Sequence, residues 1–246
     1  MRWTLRVVAI LMVVAGLAVV AMAATSAASS SKCKDLPSEA QLKAHLQAAP
    51  AAGGSAGGLF EGERMWGAVV NRAGELCAFT TSTDDPTQVW PGSEAISKAK
   101  AYTANAFSLD DLALSTAMLY TFVQPGHSLF GLNNSNPFNP DFLGKSMNEG
   151  QNKVAGDVIT FGGGTALYKN GKIIGGLGIS GDTACADHEI SKRVRNLAGL
   201  NPPGGPLADD IVYSPPEPPS VFAHPKCVNT WKNGVFIGNE TLATYP

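Results

Sequence analysis

Residues Val158 to Asp187 read VITFGGGTALYKNGKIIGGLGISGDTACAD. Val158–Tyr168 predicts a β-strand interrupted by Gly162, Gly163 and Gly164, and Lys172–Ser180 predicts a second apolar strand, also carrying glycines. Between them Lys169-Asn170-Gly171 contains Asn-Gly, the dipeptide that supplies the positive φ angles of a tight hairpin turn. Glycine weakens a strand, so the triplet and the Gly175-Gly176 pair imply a bulge, a bend, or a neighbouring backbone or flat ligand lying against the sheet. The chain turns at Gly181-Asp182-Thr183, where Asp182 or Thr183 can cap a following helix.

The glycine-broken strand, the hairpin, the I-G-G-L-G-I-S-G strand end at Ile174–Gly181 and the acidic helix start at Asp187 together resemble the GlcG/HbpS-like haem-binding family, also called the haem-degrading domain. The resemblance runs from about Trp66 to about Leu200. It departs from the family in carrying Thr165-Ala166 where a proline usually follows the glycine run. The resemblance implies an antiparallel sheet flanked by helices, often likened to profilin, together with assembly into homo-oligomers and a flat ligand such as haem.

Working outward, Met1–Ala23 carries Arg2 and Arg6, an apolar run from Val7 to Val20 and the small-x-small site Ala21-Met22-Ala23. That pattern predicts a cleaved secretory signal peptide and a secreted or periplasmic product, with an uncleaved membrane anchor as the rival reading. Cleavage removes two of 18 Lys+Arg and leaves 16 against 20 Asp+Glu, a net charge of −4. Such a surface has no general attraction for nucleic acid or anionic lipid. Residues 24–58 form an N-terminal segment with a short helix at Ser38–Ala49 and a Gly/Ala linker. Residues 59–200 have the length of one domain, and 201–246 read as an extended Pro-rich tail.

Within the domain, Arg64–Asn71 and Gly74–Thr81 predict a second hairpin. Ser93–Phe107 predicts a helix with Ala95, Ala99, Tyr102 and Ala106 on one face, and Leu109–Phe122 predicts another, capped by Ser108. The plan is α+β, a single domain. The Ala95-x-x-Lys98-Ala99 and Tyr102-Thr103-Ala104 pattern resembles the family's first long helix. Gln124–Asn152 is loop-like and carries His127, Phe130 and Phe138; a loop this long is uncommon unless functional or disordered.

Four cysteines in an exported chain favour disulfides, with three connectivities possible. Cys185–Cys227 is expected because the tail needs anchoring, and Cys33–Cys77 follows by exclusion. The rival reading has Cys185-x-x-His188 and His224-x-x-Cys227 converging as a tetrahedral metal site. For haem, an axial ligand with apolar walls is required. The candidates are His45, His127, His188 and His224; His188, beside Asp187 and the glycine hairpin, is the first, and His127 the second, with Gly162, Gly163 and Gly164 as the surface facing the ring. No Cys-x-x-Cys-His is present, which excludes covalent c-type attachment. Gly176-x-Gly178-x-x-Gly181 matches a dinucleotide fingerprint, but no βαβ unit surrounds it. Ser180 lacks the second glycine of a nucleophile turn.

These readings lead to an exported haem- or tetrapyrrole-binding protein. A second possibility is a haem-degrading or small-molecule enzyme using Asp187 and His188 as an acid/base pair. A third is a secreted structural or interaction protein without ligand.

Overall fold

The computed structural model describes residues 31–143 and 153–242. The expected signal peptide lies outside the described residues. Among the described residues the strands and α-helices are α1 (Glu39–Ala48), β1 (Trp66–Asn71), β2 (Leu76–Thr81), α2 (Gly92–Phe107), β3 (Gly164–Lys169), β4 (Lys172–Ser180), α3 (Ala184–Leu197), β5 (Thr230–Lys232) and β6 (Val235–Gly238). Strands β1 to β4 make one sheet in the order β2-β1-β4-β3, every pair antiparallel, so the fold is α+β.

The two hairpins are set by local chemistry. In the β3–β4 turn Asn170 and Gly171 have φ of 51° and 75°, the left-handed pair that matches strand twist. In the β1–β2 turn the Asn71 side-chain oxygen accepts from the amides of Ala73 and Glu75.

Helices cover both faces of the sheet. On one face Leu42 and Leu46 of α1 and Ile190 and Val194 of α3 pack against Val69, Ala78, Leu167, Leu177 and Ile179. On the other, Ala101 of α2 joins Ala68, Val70, Leu76 and Phe79. Helix α1 opens on a capping box, in which Gln41 N–H donates to the Ser38 hydroxyl and Ser38 N–H donates to the Gln41 side chain. Helix α3 is capped by Thr183, whose hydroxyl accepts from Ala186 N–H.

Leu109–Phe122 does not form the expected helix. The Ser108 hydroxyl closes a loop by bonding both the amide and the carbonyl of Leu114, and Asp110 reaches across to Lys172 and to the amide of Ile173. Tertiary partners thus take the polar groups that a helix start would use, and only 3₁₀ turns at Thr116–Leu119 and Thr121–Val123 remain.

The C-terminal segment lies along α3. Arg195 forms a two-pronged pair with Asp209, both fully buried, and β5 and β6 make a hairpin about Asn233-Gly234. The structure joins Cys33 to Cys77 in β2, and Cys185 in the first turn of α3 to Cys227. Among the described residues no helix is long and apolar enough to cross a membrane.

Candidate functional site

The glycines of β3 and β4 mark where helix backbone meets sheet backbone. A Cβ on Gly176 would lie 2.2 Å from Ala101 O, and one on Gly178 would lie 2.0 Å from Ser97 O, so α2 sits directly on β4. A Cβ on Gly164 would meet Thr116 Cγ2 at 2.4 Å, and one on Gly162 would meet Ala184 O at 2.3 Å. Gly163 has φ of +120°, and its added carbon would sit 2.7 Å from Lys100 Nζ and 2.9 Å from Asp187 Cβ. Of the partners the sequence allows for these glycines, neighbouring backbone and a buried ion pair occupy the space.

That ion pair ties the two faces of the sheet together. Lys100 of α2 and Asp187 of α3 are 2.6 Å apart, with side chains 0% and 2% exposed. Lys100 also donates to Ile179 O, while the second carboxylate oxygen of Asp187 accepts from the amides of Gly181 and Asp182. Burial raises the Asp187 carboxyl to about 6, opposed by the Lys100 charge and these hydrogen bonds. Burial likewise lowers the Lys100 ammonium, opposed by Asp187. Asp182, next in the turn, holds the amides of Leu59 and Phe60 at 2.7 Å each.

His188 follows Asp187 in sequence but faces elsewhere. Its Nε2 accepts from Ile211 N–H at 3.2 Å and lies 3.5 Å from Asp210, while Nδ1 is buried with no hydrogen-bond partner. Asp187 and His188 therefore share no hydrogen-bond partner among the described residues. Burial opposes ionisation of Asp210, yet the His188 ring and Lys192 bring its carboxyl below the usual range.

His224 is buried against Tyr120, ring centroids 4.9 Å apart, and accepts from Gly162 N–H. Burial lowers its imidazole to about 4. A ring nitrogen of His224 and the sulfurs of Cys185 and Cys227 lie within 4.8 Å of one another; His188 stands outside this group.

His127 is the candidate with an open ring. It sits in the exposed turn Gly126–Phe130, beside Leu129 at 41% and Phe130 at 67% exposure. Phe130 N–H donates to His127 O, and Leu129 N–H donates to Phe122 O, which folds the turn back on Phe122.

Haem requires an axial ligand beside apolar walls, and histidine is the neutral side chain most often used. The Gly162–Gly164 and His188 region, as arranged, leaves no room for a flat group, because backbone and buried side chains fill it. The turn at His127 instead has an exposed histidine close in sequence to exposed Leu129 and Phe130.

A four-stranded antiparallel sheet bearing helices on both faces, with glycines where the layers meet, defines an α+β domain closed over a buried ion pair. The chain belongs to the family described as haem degrading protein HbpS-like, which matches residues 40–195. Among curated proteins it is 35% identical over 109 residues to the corrinoid adenosyltransferase PduO of Salmonella typhimurium, and 34% identical over 109 residues to that of Citrobacter freundii. Each match covers 44% of this chain and 25% of the relative, so the chain matches about a quarter of the length of these relatives. Similar solved structures include Klebsiella pneumoniae ORFY, 23% identical, covering 65% of this chain and 86% of that one with a TM-score of 0.44. A PduOC:heme complex is 25% identical, covering 68% and 94% with a TM-score of 0.45.

Proposed function

We propose that this chain is an exported haem- or tetrapyrrole-binding protein whose accessible ligand is the His127 imidazole, with Leu129 and Phe130 as part of the apolar wall. Membership of a family described by haem degradation supports the tetrapyrrole class. The single observation that carries the position is exposure: His188 and His224 are buried and bonded within the core, whereas His127 is exposed beside apolar side chains. Two disulfides are compatible with an oxidising compartment, which supports export. A surface ligand turn also suits a site completed by a second copy of the chain, in keeping with the homo-oligomer expected from the sequence.

When bound, haem supplies redox chemistry at its iron; the chain's part is to hold it at the imidazole and shield one face from water. Burial and separate hydrogen-bond partners count against Asp187 and His188 acting as an acid/base pair. Titration of the purified chain with haemin tests the reading. Saturable binding with a shifted Soret band supports it, and an unchanged spectrum at micromolar haemin overturns it.

A further inference from the structure

A second constellation, built from residues other than those of the His127 turn, has the makings of a metal site. Cys185 and Cys227, now joined, have Cα atoms 6.0 Å apart, and a ring nitrogen of His224 lies within 4.8 Å of both sulfurs. Two thiolates and one imidazole are a soft, tetrahedral donor set, of the kind that leaves the fourth position of a zinc ion to water or a small anion.

Three features prepare the set beyond proximity. The His224 ring is fixed: Nδ1 lies 2.7 Å from Pro225 O, Nε2 accepts from Gly162 N–H, and Tyr120 packs against the ring. Cys185 lies in the first turn of α3, and its backbone N–H donates to Cys227 Sγ at 3.2 Å, so the helix N-terminus favours negative charge on that sulfur. Cys185 is buried at 1% exposure and His224 at 4%, whereas Cys227 is half-buried, which gives a path for an ion from solvent.

We propose that the Cys185–Cys227 disulfide is a redox gate over a zinc-type site formed by Cys185, Cys227 and His224. A dithiol reductant supplies two electrons and two protons. The sulfur–sulfur bond breaks to two thiols, and the reductant leaves as its own disulfide. Binding of a divalent zinc ion then displaces both thiol protons to solvent as the two Sγ–metal bonds form, with a His224 ring nitrogen giving up its present hydrogen-bond partner for the ion. A small-molecule disulfide takes two electrons from the two thiolates and two protons from solvent and leaves as its dithiol, so the sulfur–sulfur bond re-forms and the zinc ion is released.

The test uses the full chain, reduced with a water-soluble phosphine, freed of reductant under nitrogen and titrated with cobalt(II). The site predicts one cobalt per chain, with thiolate-to-cobalt charge transfer and tetrahedral d–d bands that zinc abolishes, and no such bands in the oxidised protein. Replacement His224→Ala weakens binding by roughly 100-fold or more, beyond what loss of an outer-shell partner costs. The variant Cys33→Ser/Cys77→Ser keeps full binding, because its cysteines lie at another place. Absence of the bands in the reduced chain, whether it stays folded or not, overturns the proposal. So does binding that survives His224→Ala, or that disappears only with Cys33 and Cys77.

Discussion

Lys100 Nζ and Asp187 Oδ2 lie 2.6 Å apart across the end of β4, joining a helix on one face of the sheet to a helix on the other. The glycine at 163 clears the channel in which they meet. A charge removed from such a pair leaves the other buried and uncompensated, which costs about 3–5 kcal/mol. Lys100→Met should therefore lower unfolding free energy by that amount in urea titration, and Lys100→Met/Asp187→Leu should recover much of it. A loss below about 1 kcal/mol for the single variant would show that the pair does not hold the layers together.

The pH dependence follows from the raised Asp187 carboxyl, about 6 when folded against 3.8 as the ordinary value. The folded chain binds this proton more tightly than the unfolded chain does. The group's stabilising share is therefore complete below about pH 4 and lost as pH rises through about 6. Wild-type stability minus that of Asp187→Asn should fall across this window by up to about 3 kcal/mol, at about 1.4 kcal/mol per pH unit. A difference that rises with pH would mean that the carboxyl is depressed instead.

Two glycines make opposite predictions. A Cβ on Gly178 would lie 2.0 Å from the backbone oxygen of Ser97, whereas at Gly92, the start of α2, nothing lies within 4 Å. Gly178→Ala should destabilise by about 1–3 kcal/mol or more, since α2 must lift from β4. Gly92→Ala should be neutral or stabilising by up to about 1 kcal/mol. Thermal unfolding of the two variants checks both signs.

Asp182 fastens the 59–60 loop to the start of α3 through the amides of Leu59 and Phe60. Hydrogen bonds to a charged acceptor contribute about 1.5–3 kcal/mol each, and Asp182→Ala leaves both amides unpaired. Hydrogen exchange at Leu59 and Phe60 should quicken by at least roughly tenfold in this variant while the β4 amides keep their protection. Unchanged exchange at both amides would show that the loop is held by other contacts.

The hairpin at Asn170-Gly171 and the cap at Thr183 are legible because each is decided by residues within four positions. The glycine triplet is legible as a place of close approach, but not as to what approaches. Ser97 and Ala101 of α2, which fill the space at β4, stand some 75 residues away in sequence. The missing helix at 109–122 fails for the same reason, since the partners of Asp110 are Lys172 and Ile173. Lys100 carries no local sign of burial; its environment exists only after α2, β4 and α3 meet. The hairpin of β5 and β6 did have a signal, the dipeptide Asn233-Gly234 between Trp231 and Phe236, hidden in a segment read as extended for its prolines.

The most direct measurement of the functional account is a haemin titration of the chain from Ala24 onward, followed at the Soret band for wild type, His127→Ala and His188→Ala. Saturable binding in wild type and His188→Ala, with a lost or displaced band in His127→Ala, is the predicted result. Binding that persists in His127→Ala and disappears in His188→Ala would place the ligand in the core and contradict the surface site.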